Sequence, residues 1–178
     1  NLDLTGIHIH LGSPIFELEP YALGIDTVLS FLIPFREEGL DLRDFSPGGG
    51  FAVGYVMDRL APPISAYADV ITRTVRDRCQ DLGFGEPRLL VEPGRSIVAR
   101  AGVALYTVGG VKDIPGLRRY VSVDGGMGDN IRPALYDAKY EAMLANRAPS
   151  GDTESVRVVG KYCETGDILI KEVELPSP

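Results

Sequence analysis

Three short clusters in the first half of the chain carry residue types suited to gripping a small anionic ligand: His10-Leu-Gly-Ser13, Ser46-Pro-Gly-Gly-Gly50 and Glu92-Pro-Gly-Arg95. Consecutive glycines such as Gly48, Gly49 and Gly50 can present backbone N–H groups in a concave nest, and their missing side chains let an anion approach. Taken alone they also fit a plain flexible turn. Ser13 adds a hydroxyl donor, and Gly94-Arg95 adds a planar, permanently charged fork matched to phosphate, which favours a phosphate site. Glu92 follows Leu89-Leu90-Val91 and precedes a proline, so it should emerge from a buried strand end. Buried carboxylates are rare unless paired. Two readings stand: an ion pair with a nearby arginine, or a hydrogen bond to a protonated ring nitrogen. His10 likewise is either a core histidine satisfied by one hydrogen bond or a ring lying flat on a planar ligand.

The elements that must position these groups follow from periodicity. Residues 6–12 alternate, with Ile7, Ile9 and Leu11 on one face and His8, His10 and Gly12 on the other, which predicts a strand. Leu18, Tyr21, Ala22, Ile25, Val28, Leu29 and Leu32 form a helical stripe that Pro34 should kink or end near Ile33. Leu40 to Phe45 reads as a short strand running into the glycines. A second helix begins after Pro62-Pro63 with Ile64, Tyr67, Ala68, Ile71, Val75, Cys79 and Leu82 as its stripe, and Gly83 and Gly85 close it. Arg88 to Val91 then reads as a short buried strand. Strand, helix, strand, helix, strand implies βαβ units around a parallel sheet, whose ligands sit at the carboxyl ends of the strands. All three clusters fall there. A phosphate, a ring nitrogen that needs a carboxylate and a flat aromatic contact together describe pyridoxal 5′-phosphate, which draws electrons from a carbanion.

From about residue 102 the character changes to β-rich segments, Val103–Val111, Arg119–Val123, Val156–Tyr162 and Asp167–Leu175, predicting a second, antiparallel domain. The boundary falls within 96–102, giving domains of 1–101 and 102–178. The 178 residues carry a net charge of −7, which argues against a general nucleic-acid binder. No apolar run approaches the ~20 residues of a membrane span. Cys79 and Cys163 form no framework, which favours a reducing, cytoplasmic setting. His8-x-His10 could also begin a metal site in a barrel hydrolase, but such sites usually recruit further histidines and the chain has none.

Further motifs carry a family resemblance. His8-Ile-His-Leu-Gly-Ser13, Gly48-Gly-Gly-Phe51, Glu92-Pro-Gly-Arg-Ser-Ile-Val98, Asp124-Gly-Gly-Met-Gly-Asp-Asn-Ile-Arg-Pro-Ala-Leu-Tyr136 and Cys163-Glu-Thr-Gly-Asp167 run through almost the whole chain. In this order they closely resemble the diaminopimelate decarboxylases, fold-type III pyridoxal-phosphate enzymes. The first three motifs are shared with ornithine and arginine decarboxylases, which remain the alternative; the last two narrow the resemblance. A non-catalytic pyridoxal-phosphate carrier would leave those last two without purpose.

The resemblance implies an α/β fold: the C-terminal portion of a (β/α)8 alanine-racemase-like barrel, then most of an antiparallel β domain. It implies that His10 stacks on the pyridine ring, that Ser13, Gly49, Gly50, Gly94 and Arg95 hold the phosphate end, and that Glu92 meets the ring nitrogen. Arg95, Arg132 and Tyr136 would grip substrate carboxylate. Cys163 as proton donor and Glu164 as reader of the substrate's far end would reach into a partner subunit's site in a homodimer. The implied substrate is meso-diaminopimelate, converted to L-lysine and CO2. By themselves Arg132 and Tyr136 read as a local packing pair, and Cys163 as an inert small hydrophobe. Family members begin with a strand bearing the lysine that anchors the cofactor and end with an active-site tyrosine segment. Here the lysines are Lys112, Lys139, Lys161 and Lys171, all in the β-rich half. The chain is therefore expected to be an internal fragment, inactive alone and prone to self-association through open strand edges.

Overall fold

The computed structural model describes residues 2–57, 59–148 and 150–176. Two compact units result: the first runs to Gly54 and resumes over Leu60–Ala101, and the second comprises Tyr55–Arg59 with the chain from Gly102 onward. Tyr55 joins the second unit through its ring contact with Tyr140, 5.7 Å between centroids.

In the first unit, β1 (Gly6–His8), β2 (Asp44–Gly49) and β3 (Arg88–Glu92) form a parallel sheet in the order β1-β2-β3. The predicted first strand is cut short. After His8 only the Ile9 N–H continues the ladder, donating to the Ser46 carbonyl at 2.9 Å, and the chain then turns away through Gly12. β2 is displaced from its predicted place: Leu40–Arg43 is not strand, and the strand runs through Ser46-Pro47-Gly48-Gly49 itself, fully buried from Phe45 onward. Small residues let both neighbours close in on this central strand, and Pro47 is accommodated where the register with β3 shifts between Phe45 and Gly48. β3 was expected to be buried and is not. It lies at the sheet edge, with Leu90 44% and Val91 50% exposed.

The helices follow the sequence more closely. α1 (Glu19–Phe31) has Pro20 in its first turn, where a missing N–H costs nothing. Pro34 prevents its continuation, and α2 (Ile33–Glu37) starts afresh around that proline. α3 (Ile64–Leu82) ends at Gly83, whose φ of +71° is the left-handed cap that glycine adopts without a Cβ penalty. Arg36 from α2 donates to the Leu82 carbonyl and satisfies that helix end. Tyr21, Ile25 and Leu29 of α1 pack with Tyr67, Ile71, Val75 and Cys79 of α3 against Phe45 of β2. Their burial is the main stabilising term, about 1.5–3 kcal/mol for each large aliphatic side chain. A four-residue turn of helix, α4 (Arg95–Val98), follows β3.

The second unit is a four-stranded sheet ordered β4 (Val108–Ile114), β5 (Arg118–Val123), β6 (Thr153–Val159), β7 (Ile168–Pro176). It is mixed rather than purely antiparallel, because β5 and β6 pair in parallel. Parallel neighbours need a long crossover, and residues 124–152, which include α5 (Arg132–Tyr136), supply it. Val103–Thr107, read as strand, precedes β4 without joining it. Among the described residues, no helix is long and apolar enough to cross a membrane.

Candidate functional site

Parallel pairing brings the carboxyl ends of β1, β2 and β3 to one edge of the sheet: His8 lies opposite Ser46, and Gly49 opposite Glu92. His10, just past β1, lies over the glycines. Its Nδ1 faces the Gly49 N–H at 3.4 Å, and a Cβ built on Gly48 would come within 2.9 Å of the same nitrogen. A side chain at Gly49 would strike the Glu92 carbonyl. At Gly50 the φ of +88° requires glycine, and its carbonyl accepts from Ile15 at 2.8 Å, which holds the Gly12-Ser13 turn beside it. Ser13 is exposed at that turn, and Gly94 and Arg95 follow Glu92 directly.

Glu92 departs from its predicted setting. It is not buried: its carboxylate is 57% exposed and lies 3.2 Å from His8 Nε2. An arginine partner was one expectation, and the observed partner is a histidine two strands away. The exposure follows from the edge position of β3, which leaves the Glu92 side chain reachable from solvent.

Two residues of this edge read from the sequence only as core. The Tyr21 hydroxyl donates to the Gly49 carbonyl at 2.7 Å, and the Tyr67 hydroxyl donates to the Ile15 carbonyl at 2.7 Å while accepting from Ala52 N–H at 3.3 Å. Burial, with Tyr67 beside it, pushes the Tyr21 hydroxyl up to about 12, so it stays a donor. The signal was available: a tyrosine on a fully apolar stripe must find a partner for its hydroxyl.

The second unit holds the remaining candidates. Arg132 and Tyr136 stand on α5, the guanidinium 6.0 Å from the ring centroid, so the local packing pair exists. Tyr136 is 69% exposed and its face remains available. Cys163 is exposed. Glu164 Oε1 accepts from the Thr165 hydroxyl at 3.0 Å and from Gly166 N–H at 3.4 Å. Those bonds, the Thr165 hydroxyl foremost, hold its carboxyl below the usual glutamate range. A Cβ built on Gly166 would lie 4.0 Å from that of Ala134 on α5, so the Cys163-Glu164 loop and α5 are neighbours.

Pyridoxal phosphate fits the first unit's edge on two observations. Glycine at 48, 49 and 50 lets the Ile9, Glu92 and Gly12 carbonyls close in, which gathers the three strand ends, and Ser96 Oγ, next to Arg95, is buried with no hydrogen-bond partner among the described residues. Nothing comparable favours a metal: among the described residues no three His, Cys, Asp or Glu side chains gather.

Residues 1–99 match the family described as pyridoxal-dependent decarboxylase, pyridoxal binding domain, and the chain belongs to that family of enzymes. Within it, the similarity is to diaminopimelate decarboxylases. The Staphylococcus aureus enzyme is 45% identical over 99% of this chain, and the Bacillus subtilis enzyme 42%. Among solved structures, the M. jannaschii diaminopimelate decarboxylase in complex with L-lysine covers 98% of the chain with a TM-score of 0.87 at 32% identity, and that chain is covered to 39%. The Helicobacter pylori enzyme complexed with L-lysine gives 0.82 at 33%, with 98% of this chain and 41% of that one covered. The chain spans about 40% of the length of the curated relatives it matches. The fold is therefore α/β of the alanine-racemase-like kind.

Proposed function

We propose that this chain forms part of a pyridoxal-phosphate enzyme that removes CO2 from meso-2,6-diaminopimelate and yields L-lysine. The observation that supports it is the reach of the similarity, 45% identity over 99% of the chain. It extends through the second unit, beyond the 1–99 segment that marks the wider family. In this reading the first unit is the end of a (β/α)8 barrel and the second is most of a β domain.

When bound, pyridoxal phosphate supplies a sink for the electron pair left by departing CO2. The chain's residues position and protonate. Gly49, Gly50, Ser13, Gly94 and Arg95 would hold the phosphate end, and His10 would lie against the ring. Glu92 accepts the ring N–H and keeps that nitrogen protonated. Arg95, Arg132 and Tyr136 hold substrate carboxylate, a positioning role. Glu164, kept anionic by Thr165, reads the distal ammonium, and Cys163 Sγ delivers a proton to the carbon that loses CO2. Those last two residues act across a homodimer, in the partner subunit's site. The setting proposed is cytoplasmic, with no nucleic-acid or membrane partner.

The test is CO2 release by the intact protein from meso-diaminopimelate, L-ornithine and L-arginine in parallel. Turnover confined to diaminopimelate, and reduced by Glu164→Gln, is expected. Preference for ornithine or arginine would move the protein to the sister branch.

A further inference from the structure

The Cys163-Glu-Thr-Gly-Asp167 motif ends in a residue to which the reading above gives no task. Asp167 is 3% exposed, the one buried acid among the described residues. Burying a carboxylate is costly unless donors meet it, and here both oxygens are met. Oδ2 accepts from Tyr162 N–H at 2.7 Å, which closes the 162–167 loop on itself around Cys163 and Glu164. Oδ1 accepts from Met127 N–H at 2.6 Å, in the segment that leads into Arg132. A second bond runs alongside, from Lys161 N–H to the Gly125 carbonyl at 2.9 Å.

The surrounding glycines are shaped to this seat. A Cβ on Gly126 would lie 2.6 Å from Asp167 Oδ1 and 2.8 Å from the Tyr162 ring, and one on Gly128 would lie 2.5 Å from the Tyr162 hydroxyl. A Cβ on Gly160 would collide with the carboxylate itself. Gly126 and Gly128 thus serve close packing of Asp167 and Tyr162, and a carboxylate suits the seat because two N–H donors converge on a group that only accepts.

We infer that Asp167 is a positioning residue: one buried carboxylate that closes the Cys163-Glu164 loop and docks it on the segment leading into Arg132, so that the loop lent to the partner subunit's site keeps one fixed geometry. This rests on the proposed roles of Cys163 and Glu164.

The experiment is Asp167→Asn in the intact enzyme, which keeps the shape and turns an NH2 toward one of the two donors. Amide exchange at Met127 and Tyr162 is expected to lose at least about tenfold of its protection. The kcat per folded, cofactor-loaded enzyme is expected to fall roughly 100-fold, the order of a ~1 Å misplacement. Cofactor affinity should be unchanged, because its proposed contacts lie in the first unit. Gly160→Ala, which displaces the carboxylate without removing it, should move the same readouts and serves if Asp167→Asn does not fold. Unaltered protection at Met127 and Tyr162 overturns the inference. Lost protection with wild-type kcat and KM also overturns it, and a low kcat in Cys163→Ala would then show that the site reading survives. Wild-type kinetics in both Cys163→Ala and Glu164→Gln would instead overturn the site reading and the positioning role with it, while the amide data still report whether Asp167 ties the loops.

Discussion

Glu92 and Glu164 show how little a residue's type says without its neighbours. Glu92 lies 3.2 Å from His8 Nε2 and half in solvent, so its carboxylate is both paired and reachable. Glu92→Gln in the intact protein removes the charge proposed to keep the ring nitrogen protonated. It should lower kcat at least tenfold, about 1.4 kcal/mol of barrier, with a smaller change in KM; wild-type turnover would refute the role. Glu164 is tuned locally: hydrogen bonds led by the Thr165 hydroxyl depress its pKa. Their contribution is therefore complete above the ordinary glutamate value and is lost as pH falls through the lowered one. Thr165→Val should return the Glu164 titration toward that ordinary value, read from its side-chain carboxyl carbon by NMR.

At the scale of elements, the sequence was informative where burial has a period and silent where it does not. The stripe Tyr21, Ile25, Leu29 and its counterpart Tyr67, Ile71, Val75, Cys79 are legible because a helix repeats its buried face every three or four residues. β2 was misplaced because Ser46-Pro-Gly-Gly carries no alternation and is composed of turn formers. Only its two neighbours make it a strand. The parallel β5–β6 pair was hidden for a related reason, since register between distant strands leaves no local mark. Of the candidate site, the glycine run and Glu92 could be read from strand ends, but the Glu92–His8 contact and the tyrosine hydroxyls could not. Those hydroxyls yield a prediction: Tyr21→Phe leaves the Gly49 carbonyl without its partner. It should cost about 1–3 kcal/mol in denaturant unfolding and weaken pyridoxal-phosphate binding by the intact protein. Unchanged binding would separate the core from the glycine run.

Over the whole chain, the two units divide the proposed work: cofactor contacts and Arg95 on the first, the other substrate contacts and the proton donor on the second. All four lysines lie in the second unit, none at a strand end of the parallel sheet. The 178-residue chain, supplied with pyridoxal phosphate and diaminopimelate, is therefore expected to release no CO2 above buffer. Both outer strands of the parallel sheet have one open edge among the described residues, and β3 presents exposed Leu90 and Val91. Such an edge templates pairing. Sedimentation velocity of the isolated chain should show mass increasing with concentration, and a clean monomer would contradict it. Asp167, Gly126 and Gly160 occupy one shared volume, which binds their histories together. In lineages descending from this sequence, a methyl at 126 or 160 should displace the acid and cost turnover unless the acid has already shrunk. Drift there should move in compensated pairs, never singly.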